Sequence, residues 1–175
     1  HGIAIGDGFI LVGDLNGVWR LPYKSGDTKA KADAVKVTSR RALGDPGGHS
    51  TRNVVLHPDG SRFYVAIGSR GNIAEEPIPR ATIQEFLIDG SGQRTFATGL
   101  RNPVGTAFYP GTTDLYTVVN ERDGLHDELV PEYMTKVVDG GFYGWPYSYI
   151  GSNPQPNFFD RKPELVASAL VPDTL

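Results

Sequence analysis

Short stretches of alternating apolar and polar residues, separated by clusters of Gly, Asp, Asn and Pro, follow one another along most of the chain. Alternation with a period of two is typical of a half-buried β-strand, and turn residues between such stretches predict hairpins. The segments 82–89 and 93–100 alternate in this way around a turn at 89–92, and 34–38 shows the same pattern. We therefore expect an all-β protein built from short antiparallel strands.

An internal repeat of about fifty residues organises these strands. Similar hairpins are predicted over 8–23, 53–72 and 104–124, and the turn prolines Pro58 and Pro110 are 52 residues apart. A period near fifty with hairpins inside it is typical of a β-propeller, whose blades are four-stranded antiparallel sheets. A β-sandwich is the alternative that alternating strands permit, and the regular spacing favours the propeller.

The repeat also bears on domain organisation. At about fifty residues a blade, 175 residues correspond to roughly three and a half blades. A propeller closes a ring of about four to eight blades. We therefore expect residues 1–175 to be a partial propeller catalytic domain, truncated at both ends. The start on His1, followed at once by a strand pattern, indicates the same.

Helical patterns are sparse in this sequence. The segment 127–141, DELVPEYMTKVVDGG, is the place where a short helix is expected. Pro131 in this segment lacks the amide hydrogen that a helix interior needs, so a long helix is not expected there.

Composition and charge narrow the classes of function. The formal net charge is −3 and no basic stripe with interleaved aromatic residues occurs, which argues against nucleic-acid binding. No run of about 18 apolar residues is present, so no membrane span is expected. The chain has 0 Cys, which excludes disulfides, thiolate metal ligands and cysteine nucleophiles within it without deciding the compartment.

The first candidate for chemistry is His49 in the segment 47–53, GGHSTRN, on a loop that leads into a predicted strand. A neutral imidazole near pH 7 accepts a proton from a hydroxyl group, as a general base must in the oxidation of an alcohol. The two preceding glycines let a ligand approach the backbone closely. A loop histidine without a role is the alternative.

The second candidate is the pair Arg101 and Asn102 in the segment 99–108, GLRNPVGTAF, at the start of the next repeat. A guanidinium fork beside an amide suits a planar ligand with several negative charges. The alternative is a structural turn, in which Asn102 restrains the loop before Pro103 and Arg101 pairs with a surface carboxylate.

The third candidate is the acidic loop at the start of the segment 120–151. Its carboxylates, Glu121, Asp123, Asp127 and Glu128, are dense enough to suggest a hard cation such as calcium. Their spacing differs from that of an EF-hand, and a solvated loop without metal is equally compatible. The aromatic stretch GGFYGWPYSY is expected to wall a pocket or to pack the outer face of the propeller.

Taken in order, these motifs resemble one family. The series GGH-x-TRN, PDG, YVAIGSRGN, GLRNPVG, NERD, DE and GGFYGWP is similar to the quinoprotein family of soluble glucose dehydrogenases. It is closer still to the branch that resembles sorbosone dehydrogenase and to the related fungal pyranose dehydrogenases. The likeness runs firmly from about residue 44 to residue 151, and the ordered set is specific although each motif alone is weak.

The resemblance implies a six-bladed propeller of four-stranded blades, with pyrroloquinoline quinone (PQQ) over one mouth of the central channel. A His matching His49 acts in this family as general base while a hydride passes to the quinone. An Arg–Asn pair matching Arg101 and Asn102 contacts the cofactor. Calcium bridges the quinone to backbone carbonyls in the loop that matches Arg122 and Asp123. The implied cofactors are therefore PQQ and Ca²⁺.

The implied activity is that of a PQQ-dependent dehydrogenase of a sugar or related alcohol or aldehyde, such as an aldose or a sorbosone-like compound. The implied partners are this small molecule and an external electron acceptor of the quinone or cytochrome type, and the implied location is periplasmic or secreted. In the glucose dehydrogenases an Asp precedes the His and another follows the Ile-Gly, where this chain has Gly48 and Ser69. Neither place therefore holds a carboxylate to orient the base.

Two other functions are open at this point. A calcium-dependent sugar lactonase on the same architecture needs carboxylates that converge from several blades, and only the 120–128 loop offers them. The second open function is that of a non-catalytic propeller that serves as a binding platform. The fold alone does not distinguish these functions, because propellers host all of them.

Overall fold

The computed structural model describes residues 2–175, so His1 lies outside the described residues. Within that range the chain forms strands and one short helix. The strands are β1 Gly2–Gly6, β2 Phe9–Asp14, β3 Gly17–Pro22, β4 Val35–Lys36, β5 Arg52–Leu56, β6 Arg62–Ile67, β7 Thr82–Leu87, β8 Arg94–Thr98, β9 Asn102–Phe108, β10 Leu115–Asn120, β11 Tyr133–Lys136, β12 Ser148–Tyr149 and β13 Asn153–Pro154, and the helix is α1 Pro163–Ser168. The prediction of an all-β protein is confirmed.

Consecutive strands pair into antiparallel sheets that repeat along the chain. Strands β1–β4 form the first sheet, β5–β8 the second and β9–β11 the third, each in sequence order. The first strands of these sheets begin at Gly2, Arg52 and Asn102, fifty residues apart. The predicted repeat is therefore the length of one sheet with its connection to the next.

The sheets pack face to face, with their first strands side by side. Strand β5 contacts β1 on one side and β9 on the other. Alternate residues of β6 enter different cores, since Phe63 and Val65 pack with the first sheet whereas Tyr64 and Ala66 pack with the third. Burial on both faces explains why β6 is apolar at nearly every position. Sheets arranged in this way are blades of a β-propeller, and a two-sheet sandwich is excluded.

The hairpin predicted over 8–23 is confirmed, but it consists of the second and third strands of its blade, β2 and β3. The hairpins over 53–72 and 104–124 are the first and second strands of theirs. The first strand of the first blade is the short β1 that precedes the hairpin. Pattern alone does not distinguish neighbouring hairpins of a blade, because all of them alternate in the same way.

The helix predicted over 127–141 is wrong. Residues Tyr133–Lys136 of that segment form β11, which pairs with β10 and alternates between buried and exposed side chains. In this segment the pairing of β11 with β10 outweighs the local helical tendency of the residues. The described helix is α1, which begins at a proline and has Glu164 in its first turn. No helix within residues 2–175 combines the length and apolar character needed to cross a membrane.

The third blade has three strands in the described range, and the chain after β11 turns back to the second blade. Thr98 of β8 donates a backbone hydrogen bond to Gly141 (2.9 Å) and accepts one from Tyr143 (2.9 Å). This return places the aromatic stretch 140–149 against the outer strand of the second blade.

Candidate functional site

Four loops meet at one end of the blades. A loop that enters the first strand of a blade lies beside the loop that leaves the second, because these two strands are antiparallel. Arg52 pairs with Ile67, and Asn102 pairs with Asn120, at this end. The loops that meet are 47–51, 68–72, 99–101 and 121–124, and they carry or adjoin every predicted site residue.

Ser69 holds the ring of His49. The Nδ1 atom of His49 lies 2.9 Å from the backbone oxygen of Ser69 and 3.1 Å from its Oγ. A carbonyl oxygen only accepts, so Nδ1 carries the proton and Nε2 is left as the basic nitrogen. The Ser69 hydroxyl donates to the Gly71 carbonyl (2.7 Å), which fixes its own orientation. A serine side chain and its own carbonyl thus orient the imidazole, at a place where the resemblance to the glucose dehydrogenases implied a carboxylate.

The surroundings of His49 favour its neutral form. The ring is half-buried, and burial is the largest cause of a lowered pKa, followed by the positive charge of Arg101. The hydrogen bond with Ser69 and the charges of Glu76 and Asp123 raise the pKa by smaller amounts. At pH 7 His49 is therefore an unprotonated imidazole of defined tautomer, which is the state that a general base needs.

Gly68 lets two of the predicted residues approach each other. A Cβ atom at this position would lie 2.4 Å from Oδ1 of Asn102 and 2.7 Å from Cβ of His49, too close for any other residue. Asn102 is buried, and its Oδ1 has no hydrogen-bond donor among residues 2–175. An unpartnered amide oxygen beside the base is a polar atom that a ligand can satisfy.

Arg101 is buried and uses all of its donors within the protein. Its Nε donates to the Asn72 carbonyl (3.0 Å), and its Nη1 donates to the carbonyls of Asn120 (3.3 Å) and Glu121 (2.5 Å). Its Nη2 donates to Oδ1 of Asn72 (2.8 Å) and to Oδ2 of Asp123 (3.3 Å). The Asp123 side chain is 87% exposed, so its contact is the one that a ligand can replace.

Asn72 links the loops of two blades, and sequence reasoning did not single it out. Besides its contacts with Arg101, its Oδ1 accepts from the Asp123 amide (2.9 Å) and its Nδ2 donates to the Asp123 carbonyl (2.9 Å). Its own carbonyl accepts from Nε1 of Trp145 (3.1 Å). Its place in the motif YVAIGSRGN was the one signal that could have found it.

Replacement of Asn72 by alanine removes three side-chain hydrogen bonds and leaves Arg101 and Asp123 with unmet partners. We expect the free energy of unfolding to fall by about 1–3 kcal/mol, measured by urea denaturation. The control is Asn153→Ala, an exposed asparagine with one hydrogen bond, which should cost less than about 0.5 kcal/mol. Equal losses in the two variants would show that Asn72 does not hold the loops together.

The acidic loop does not gather its carboxylates. Glu121 is 5% exposed, whereas Asp123, Asp127 and Glu128 face solvent. Within residues 2–175 no group of three or more His, Asp or Glu side chains is arranged to hold a metal ion. The described residues therefore do not support a side-chain carboxylate site for a cation in this loop, and that hypothesis stays a prediction.

The backbone oxygen of Asp123 is also engaged. It accepts from Nδ2 of Asn72 (2.9 Å) and from Nε (3.1 Å) and Nη2 (2.8 Å) of Arg122. The Arg122 guanidinium therefore engages this oxygen, and its positive charge would oppose the approach of a calcium ion. A calcium ion at the Asp123 carbonyl would have to displace the Arg122 side chain, and the metal contacts expected of Arg122 and Asp123 stay predictions.

Arg52 anchors the His49 loop and is a further residue that sequence reasoning missed. Its side chain is fully buried, and its Nη1 donates to the carbonyls of His49 (3.0 Å) and Thr51 (2.7 Å). Burial, and then the charge of Arg80, lower its pKa to about 10, so that it remains charged at pH 7. A sequence gives no sign of such burial, because arginine is mostly exposed.

Of the two expectations for the aromatic stretch, the one that it walls a pocket is confirmed. Phe142, Tyr143 and Trp145 are buried, so their rings pack within the fold. Phe142 and Trp145 also wall a cavity of about 300 Å³, together with Tyr147. Trp145 in addition ties this stretch to the site through Asn72.

Comparison by sequence identifies a relative but no function. No protein-family model matches the chain. A Borreliella burgdorferi protein described as uncharacterized is 26% identical over 117 residues, which cover 66% of this chain and 31% of that protein.

Comparisons of structure show the fold. The PQQ domain of Coprinopsis cinerea pyranose dehydrogenase, in a holo form, has a TM-score of 0.72 and 21% identity over 86% of this chain and 44% of its own. A calcium structure of a Trichoderma reesei enzyme of carbohydrate-active family AA12 has a TM-score of 0.70 and 22% sequence identity, and the match covers 90% of this chain and 46% of that enzyme. A glucose dehydrogenase has a TM-score of 0.67 and 16% sequence identity, and the match covers 94% of this chain and 53% of that protein.

The chain thus spans about half the length of these solved structures. Besides the two-stranded pair β12–β13, the chain forms three blade sheets, and three blades in about half of that length correspond to a ring of about six blades. The predicted fold, part of a six-bladed propeller, is confirmed, with two four-stranded blades and a three-stranded one in place of three and a half blades.

Proposed function

We propose that this chain, which has the fold of the PQQ domains of sugar dehydrogenases, is the part of a quinoprotein oxidoreductase that carries the general base. The observation that supports this most directly is the oriented His49, whose Nδ1 is bound by Ser69 at 2.9 Å. Its Nε2 forms no hydrogen bond with residues 2–175, and His49 lies close enough to Arg101 for that charge to act on it. The proposed substrate is a sugar or related alcohol or aldehyde, such as an aldose or a sorbosone-like compound.

His49 takes the proton of the substrate in this proposal. Bound PQQ supplies a two-electron acceptor for the hydride that leaves the substrate carbon. Nε2 accepts the proton of the oxidised hydroxyl group, and the ring becomes an imidazolium. The hydrogen bond from Nδ1 to the Ser69 carbonyl then stabilises the positive ring without any change of orientation.

Arg101 and Asn102 are the residues we propose to hold the cofactor. The Oδ1 atom of Asn102 has no partner among residues 2–175, so the amide can turn either its oxygen or its nitrogen to a ligand. Nη2 of Arg101 becomes available once Asp123 leaves it. The guanidinium charge would then favour negative charge on a reduced ring.

Calcium enters this proposal as a cofactor to be tested. The Trichoderma reesei structure named above is a calcium structure, but the Asp123 carbonyl of this chain already binds Arg122 at 2.8 Å. Calcium at Arg122 and Asp123 therefore requires the Arg122 side chain to move. The external quinone or cytochrome acceptor and the periplasmic or secreted location also stay predictions. A lactonase is not favoured, because no three acidic side chains within residues 2–175 converge.

Addition of PQQ to the full-length protein tests the function. We expect the melting temperature to rise, because a ligand of the native state at 100 times its Kd adds about 2.7 kcal/mol of stability. We expect dye reduction with aldoses or sorbosone, and parallel samples with calcium or with EDTA measure the metal requirement. An unchanged melting temperature without sugar-dependent dye reduction would leave a non-catalytic binding propeller as the better explanation.

A further inference from the structure

A cavity of about 220 Å³ lies beside the His49 loop, between residues 41–45 and 77–80. Its charged lining residues are Arg41, Asp45, Arg70 and Arg80, and the rest of its lining is Gly44, Pro77, Ile78 and Pro79. We call it the arginine cavity. Three cations face one carboxylate, and that carboxylate, Asp45, already pairs with Arg41 at 3.1 Å. The cavity therefore carries excess positive charge.

Arg80 is the buried cation of this cavity, with 5% of its surface exposed. Its guanidinium donates to the carbonyls of Gly68 (3.1 Å), Gly47 (2.9 Å) and Asp45. No carboxylate of residues 2–175 lies within ion-pair distance of it, and its Nε makes no hydrogen bond in the same range. Arg80 hydrogen-bonds only to carbonyl groups, and the charges of Glu76 and Asp45 act on it from beyond ion-pair distance. An anion that enters the cavity would stabilise this buried cation further.

Arg70 lies at the same cavity and directly follows Ser69, the residue that binds the proposed base. Its Nε and Nη2 lie 3.7 Å from the position that a Cβ of Gly47 would occupy, and its side chain forms no ion pair with residues 2–175. Its backbone packs directly on Gly48, the residue before His49. The nearby carboxylate of Glu76 is engaged by the backbone amides of Arg70 (2.8 Å) and of Gly71 (2.8 Å).

We infer that the arginine cavity binds an oxyanion, a carboxylate or a phosphate, that the substrate carries. This rests on the proposed function and names the substrate class as an acidic sugar. Guanidinium forks suit both oxyanions, because each offers two oxygens in one plane. At about 220 Å³ the cavity is smaller than the roughly 300–1,000 Å³ of a typical ligand site, so it takes a charged end group beside His49.

Calorimetric titration of the full-length protein without quinone tests the inference. The ligands are glucose, glucuronate and glucose 6-phosphate. We expect at least one of the acidic sugars to bind about 10-fold or more tightly than glucose, since a charge-assisted fork is lost for the neutral sugar. Arg70→Ala should abolish this preference, and the tighter of the two acidic sugars identifies carboxylate or phosphate as the recognised group.

The matched control is Arg20→Ala, an arginine of β3 that stacks on Phe9 outside the cavity and should leave the preference intact. Arg70 is exposed, so its variant should fold, and a thermal melt verifies this. Equal affinities for the three sugars in the wild type, or a preference retained in folded Arg70→Ala protein, would overturn the inference. Quinone binding is measured separately, so the two proposals fail by different experiments.

Discussion

Replacement of His49 by alanine is expected to lower kcat for quinone-dependent sugar oxidation by about 10²–10⁴-fold. Nε2 of this residue is the proposed acceptor of the hydroxyl proton, and alanine leaves only water in its place. The melting temperature should stay nearly unchanged, because the ring is half-buried and its Nδ1 binds a single residue, Ser69. Dye reduction at saturating sugar measures kcat, and thermal melts of the same samples verify folding.

His57→Ala is the matched control for this prediction. His57 lies in the β5–β6 turn, where it contacts Asp59 and packs against Phe108 at a ring distance of 5.3 Å. Its removal should leave kcat within about twofold of wild type, since it touches none of the site loops. A His49→Ala enzyme that retains wild-type kcat would show that another group takes the proton.

The pH profile distinguishes a base from a merely structural histidine. Burial and the charge of Arg101 lower the pKa of His49, so the acidic limb of kcat/KM should lie below the ordinary histidine value of 6.5. Ser69→Asp places a carboxylate next to Nδ1, which favours the imidazolium. The acidic limb should therefore move to higher pH in that variant, whereas a histidine without a chemical role would leave the profile unmoved.

The fold was accessible from the sequence because burial imposes a period on each strand. In β6 every residue from Phe63 to Ile67 is buried, and the partner β5 begins fifty residues after β1. Such regularities survive in the residue pattern. The helix expected over 127–141 failed because β11 is defined by its pairing with β10, a contact that no local pattern records.

The site was accessible only in part. The convergence of His49, Arg101 and Asn102 follows from loops that share one end of antiparallel strands. The partners of Arg101 do not follow, because Asn72 lies 29 residues before it and Glu121 lies 20 residues after it. Contacts between irregular loops follow no sequence period. The role of Arg101 in connecting the loops could therefore not be predicted from the sequence.

Glu121 is a buried carboxyl group whose pKa links folding to pH. It is 5% exposed, its Oε2 accepts from the Arg122 amide (3.2 Å), and the Tyr133 hydroxyl nearby has no partner among residues 2–175. Burial raises its pKa from 4.5 to about 7, although Arg101 acts in the opposite direction. Between pH 4.5 and about pH 7 the folded protein therefore still holds a proton on Glu121, whereas the unfolded chain has released it. Stability contributed by this group is complete below pH 4.5 and is lost as the pH rises to 7.

Glu121→Gln should remove this pH dependence and raise the free energy of unfolding by about 3 kcal/mol at pH 8, with little effect near pH 4.5. Glutamine keeps an oxygen for the Arg122 amide and carries no charge to desolvate. Urea unfolding across this pH range measures the difference, and Glu128→Gln, exposed in the same loop, should follow the wild-type curve. Parallel pH curves for wild type and Glu121→Gln would contradict the assignment, because they would mean that Glu121 is ionised in the folded protein as readily as in the unfolded chain.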